Sequence, residues 1–166
     1  MRTVYETTLP RTVLGFAAGT LAGAILVALW AVLDGTDLQS LRQYGLRDGL
    51  YVFVPALFLW GGGLLLVATL PWLVLHRRQM RSPPVAVVLG TVLTFLTVLA
   101  ITTRGFGLWD IGSFSAADNG GATWIDGRLT AHGWAEALKA ALVFCPLGAI
   151  VALVVWRTAY RRTPPK

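Results

Sequence analysis

The chain reads as an all-α integral membrane protein, four transmembrane helices in an up-down bundle with both termini cytoplasmic. Three observations lead there. Only 13% of its 166 residues are charged while 55% are hydrophobic, and a soluble domain carries about 25% charge. The charges bracket four long uncharged runs. The basic residues then fall unequally on the two sides those runs define.

The first run lies between Arg11 and Asp34, 22 residues without a charge. That is long enough to cross a hydrocarbon core, which takes about 20 residues of helix. It is too long for the apolar region of a cleaved signal peptide, and "VALWAVLDG" lacks a small-x-small cleavage site. An uncleaved helix over about 12–33 is expected. The second run, between Asp48 and His76, has 27 residues, and the third, between Arg81 and Arg104, has 22. They give helices over about 50–75 and 84–103. The fourth, between Lys139 and Arg157, has only 17. It spans if its helix starts near Trp134 and the Lys139 stem snorkels outward, giving 134–157. One four-helix domain over 1–166 follows, with external loops 34–49 and 104–133.

Orientation comes from the cations. Arg2, Arg11, Arg77, Arg78, Arg81, Arg157, Arg161, Arg162 and Lys166 share one side with a single acid, Glu6. Arg42, Arg47, Arg104, Arg128 and Lys139 share the other with seven acids. The positive-inside rule puts the first group in the cytoplasm, and the multi-pass chain is assigned to a bacterial cytoplasmic (inner) membrane. Net charge is +6, which this topology and attraction to anionic lipid explain. No nucleic-acid motif accompanies it. Trp30, Trp109, Trp134 and Tyr51 fall at outer helix ends, and Trp72 and Trp156 at inner ends, as interfacial anchors.

Within the spans, Gly15, Gly19 and Gly23 recur at four-residue spacing, a GxxxG-type groove that lets a second backbone approach closely. Its partner is helix 3, helix 4 or helix 1 of another copy. The second span carries Pro55, Gly61, Gly62, Gly63 and Pro71, a pattern that bends a helix. Thr91, Thr94 and Thr97 line the third. Cys145 precedes Pro146 in the fourth and serves as a small apolar filler. "RSPP" at 81–84 and "RTPP" at 162–165 are stop signals at membrane exits, not a duplicated hairpin.

The long loop 104–133 exceeds the usual 12–15 residues, as functional loops do. Asp126-Gly127 in "ATWIDGRLT" is a hairpin signal, and Thr130 can cap the last helix. His132 and Glu136 share a helix face. With Arg104, Asp126, Asp110 or Asp118 they form a polar cluster at the outer interface; Glu136 has alternative partners in Lys139, at i,i+3, and Arg104.

No charge lies mid-span, against ion-coupled transport by one chain. His76 and His132 lie at opposite membrane faces, so they cannot hold a haem between them. A nucleotide-binding Gly-rich loop, a Gly-x-Ser-x-Gly elbow and a His-Glu-x-x-His motif are missing from the sequence. No cofactor, metal site or catalytic residue is expected. The sequence therefore favours an interaction or accessory component, contacting a membrane-protein partner or a second copy. A small oligomeric channel or transporter comes second. A membrane enzyme with its site at the outer interface comes third.

Overall fold

The computed structural model describes residues 4–34, 38–108 and 114–163, with side chains over 6–30, 50–108 and 114–161. Trp109 and Asp110 lie outside these residues, as do the side chains of Arg42 and Arg47. The elements run β1 (Val4–Glu6), α1 (Leu9–Asp34), α2 (Leu38–Gly62), a π-helical stretch (Gly63–Ala68), α3 (Thr69–Arg77), α4 (Pro83–Thr102), β2 (Ala116–Asp118), β3 (Gly121–Ile125), β4 (Arg128–Leu129), α5 (Ala131–Ala159) and β5 (Arg161–Thr163). Four segments are long and apolar enough to cross a membrane: Leu9–Trp30, Leu50–Arg77, Pro83–Thr102 and Ala131–Ala159. The shortest, of 20 residues, is about 30 Å long, matching a hydrocarbon core.

Three boundaries differ from the sequence expectation: α1 begins at Leu9, taking in Pro10 and Arg11 ahead of the uncharged run, and the second and fourth helices also start earlier. Residues 38–49 are helix rather than loop, because α2 begins at Leu38. The stretch contains no proline and is rich in Leu, Gln and Arg, all good helix formers, so two glycines do not interrupt it. The last helix begins at Ala131, three residues before Trp134. That start adds almost one turn to a span that looked short.

The contacts divide into two compact units, one built from the chain up to Gly90 and from Ala149 on, the other from Thr91–Gly148. In the first, α1 packs along α2, and β1 and β5 form an antiparallel ribbon in which Glu6 faces Arg161 and Val4 faces Thr163. The two ends of the chain are thus tied together. Thr7 strengthens the tie by donating its hydroxyl to the Ala159 carbonyl at 2.6 Å.

The glycines of α1 sit where a β-carbon does not fit. At Gly15 it would lie 3.0 Å from both the Ala159 β-carbon and the Val155 carbonyl oxygen. At Gly19 it would run into the Val155 methyl, and at Gly23 it would meet the Trp60 ring at 2.5 Å. So α5 fills the lower groove and α2 the upper. In lipid this closeness matters, since dispersion replaces the hydrophobic drive between helices.

The second span changes pitch at its centre. Pro71 cannot donate to the carbonyl four residues earlier. Ahead of it, Gly63–Ala68 adopts the wider π-helical turn, and the Thr69 hydroxyl donates to the Leu64 carbonyl five residues back at 3.0 Å. The turn after α3 is a Schellman motif. Gln79 takes a φ of 59°, its N–H reaches the His76 carbonyl, and the Met80 N–H reaches the Leu75 carbonyl.

In the second unit, Leu99, Ala137 and Ala141 form the buried centre, with Phe95, Val98 and Trp134 packed on it. The Cys145 thiol donates to the Ala141 carbonyl of its own helix at 3.3 Å, in keeping with a filler. Beyond it stands a three-stranded antiparallel meander, β2-β3-β4.

Candidate functional site

The meander is a polar surface with defined strand pairing, and local chemistry builds it. Asp126 and Gly127 connect β3 to β4 with φ of 47° and 74°, and Ile125 pairs with Arg128 across them. Two successive positive φ values suit the right-handed twist of a hairpin, and Asp-Gly supplies them at least cost. The Gly127 N–H is held by the Phe114 carbonyl at 2.8 Å. Between β2 and β3 the register slips at Ala116/Ala117, so that Thr123 is the extra residue of a bulge.

That bulge carries the sheet onto the last helix. The Thr123 carbonyl accepts the Thr130 N–H at 3.0 Å and lies against Gly133 so closely that a β-carbon there would overlap it. Thr130 is the helix cap: its hydroxyl accepts the Gly133 N–H at 3.0 Å and donates to the Ala122 carbonyl at 2.5 Å. One residue thus satisfies an orphan amide of the first helical turn and fastens the strand beside it.

Arg104 provides a second attachment. It ends α4 in the left-handed conformation, φ 51°, with its N–H on the Ile101 carbonyl and the Gly105 N–H on the Ala100 carbonyl, a second Schellman closure. Its guanidinium carbon lies 4.5 Å from the Phe114 ring centre and 4.7 Å from that of Trp124. Such a cation–π contact contributes about 0.5–2 kcal/mol, enough to offset a left-handed residue that costs roughly 1–2 kcal/mol.

The four residues singled out in the sequence therefore sit in separate surroundings. Arg104 lies on the aromatic rings rather than beside Glu136. Asp126 is a turn residue whose N–H donates to the Ser115 hydroxyl at 3.2 Å. Glu136 binds Lys139 at 2.5 Å, one helical turn on. His132 is the one with an acid partner from the loop, its Nε2 2.8 Å from Asp118 Oδ1. Among the described residues, no three His, Cys, Asp or Glu side chains converge as a metal site would require.

The Asp118–His132 contact is electrostatic as well as geometric. The hydrogen bond from His132, then the Gly120 N–H at 2.7 Å, pull the Asp118 carboxyl below its ordinary range. A carboxylate with a depressed folded value stabilises the fold fully above its unfolded value of about 4, and that contribution disappears as pH falls through the folded value. Asp118→Asn should therefore lower the melting temperature near neutral pH, and the difference from the native chain should shrink below about pH 4. A difference constant across that window would mean that the carboxylate charge plays no part.

The first unit holds a second cluster at the end where its helices meet the β1–β5 ribbon. His76 Nδ1 and the Tyr160 hydroxyl are 3.0 Å apart, His76 stacks on Trp72 with ring centres 5.1 Å apart, and Tyr160 stacks on Trp156. The Trp156 indole donates to the Arg81 carbonyl at 3.0 Å. Burial raises the Tyr160 hydroxyl above its ordinary range, opposed by the Arg81 charge. Sequence reasoning took Trp72 and Trp156 only as separate anchors. A His and a Tyr 84 positions apart give no local signal of meeting.

Comparison with protein-family models, with curated proteins and with solved structures gives no match.

Proposed function

We propose that this protein is an accessory component of a bacterial cytoplasmic membrane, spanning it as an up-down bundle with both termini inside and contacting a larger membrane partner through the outer meander. The observation that carries the reading is the way the meander is fastened. The Thr130 cap, the Gly133 contact and the Arg104 rings fasten a small sheet to the helix ends beside it while Ile125 of β3 (51% exposed) stays uncovered. Ordering residues costs conformational entropy, and a preorganised apolar surface lowers the further ordering required on binding. The topology is supported by the excess of arginines on one side and by the β1–β5 pairing, which suits an even number of crossings.

A second reading, a small oligomeric channel or carrier, is favoured by the π-helical stretch Gly63–Ala68, since such stretches often mark functional sites. One experiment separates the two. Purified in mild detergent, the tagged protein should retain a discrete stoichiometric partner, and Ile125→Glu should release it without changing the melting temperature. A homogeneous self-oligomer that conducts solute in liposomes, with flux blocked by Gly62→Leu, would overturn the accessory reading.

A further inference from the structure

The arginines of the first unit whose side chains are described gather at one end of it. Arg77 ends α3 and Arg78 follows it, next to His76; Arg157 lies in the last turn of α5, next to Trp156; Arg161 opens β5, next to Tyr160. The His76–Tyr160 and Trp156–Arg81 hydrogen bonds pin these segments to one another, and Arg11 comes from the first turn of α1 at the same end. Six cationic side chains, Arg11, Arg77, Arg78, Arg81, Arg157 and Arg161, thus gather where two apolar spans stop. Glu6 is the one acid with a described side chain there, and it faces Arg161 across the ribbon.

Three of the six are directed to water or headgroups. Arg77, Arg78 and Arg157 are exposed, and none of them is in an ion pair with a described acid. Their guanidinium groups are suited to bidentate contact with a phosphate. Beside them, ring contacts run from Trp72 through His76 and the buried Tyr160 to Trp156, and the two half-buried tryptophans form a collar of the side-chain type that settles at the level of the lipid headgroups. Cations above such a collar meet the phosphate layer and little else.

We propose that this end is a binding site for the phosphate of an anionic phospholipid, held by Arg77, Arg78 and Arg157 with the collar against the glycerol region. The site rests on the membrane-spanning reading but on no particular partner. Each arginine near an anionic surface strengthens binding several-fold, so three together exceed what a general surface potential gives a single residue.

The test uses the full-length chain in neutral detergent, with lipid retention followed by native mass spectrometry. Phosphatidylglycerol should bind about tenfold or more tightly than phosphatidylcholine. The triple variant Arg77→Gln, Arg78→Gln, Arg157→Gln should lose that preference, whereas the corresponding triple lysine variant should keep most of it. Arg128→Gln, in the outer hairpin, should leave it intact. Size-exclusion profiles confirm that each variant is folded. Equal retention of the two lipids by the native chain, or an unchanged preference in the glutamine variant, would overturn the site. Full displacement of phosphatidylglycerol by millimolar inorganic phosphate would also overturn it, assigning the arginines to free phosphate.

Discussion

Gly133→Ala should detach the β2–β3–β4 meander from α5. The added methyl overlaps the Thr123 carbonyl oxygen and lies 3.0 Å from a Leu129 methyl. The carbonyl belongs to a bulge whose position is fixed on both sides, by the Thr130 N–H it accepts and by the Thr123 hydroxyl on the Ala116 carbonyl at 3.1 Å. A flexible side chain could swing aside; this backbone cannot. Overpacking a fitted site costs about 1–3 kcal/mol, and the upper end applies where backbone must move. The cost falls on the sheet, because α5 itself gains a better helix former. The expected result is rapid protease cleavage near Asn119–Gly121 and Asp126–Gly127 with the helical content unchanged. Cleavage at the native rate would show that the sheet does not depend on this contact.

The parts of this architecture visible in the sequence are those encoded locally. Runs between charges locate the four helices long and apolar enough to cross a membrane, because a charge in hydrocarbon is costly and such helices leave it out. Asp126-Gly127 located one hairpin, because few dipeptides supply two positive φ values cheaply. Asn119-Gly120 joins β2 to β3 by a different turn, in which the positive φ falls on Gly121 rather than on the dipeptide itself. What was not legible depends on distant pairing. Nothing near His132 selects Asp118 over Asp110 or Asp126; the bulge at Thr123 sets that geometry. Gly133 looked like one more glycine in a glycine-rich loop, and its role exists only once a carbonyl stands against it. Arg104 read as an ion-pair candidate because charge is visible in a sequence, whereas a pair of aromatic rings 10 and 20 residues away is not.

Gly19→Leu should be the most damaging single change in the first unit. Its β-carbon alone runs into the Val155 methyl, with a Leu64 methyl at 3.4 Å and a Val151 methyl at 3.5 Å behind it. Val151 is 1% exposed and Val155 9%, and a valine in a helix has essentially one χ1 rotamer, so neither can rotate clear. Three further carbons then have no space unless α1 and α5 separate, and separation would also loosen the Gly15 contact with Ala159. A loss of at least about 3 kcal/mol is expected, beyond ordinary overpacking. It should appear as a lower melting temperature and a broadened size-exclusion peak in detergent. Gly62→Leu is the matched control, since a β-carbon there meets nothing within 4 Å and leucine is the better helix former by under about 1 kcal/mol. The same residue change should therefore be ruinous at one glycine and harmless at the other. If both variants melt together, the α1 glycines reflect membrane-helix composition, and the close approach of α5 is not what holds this unit together.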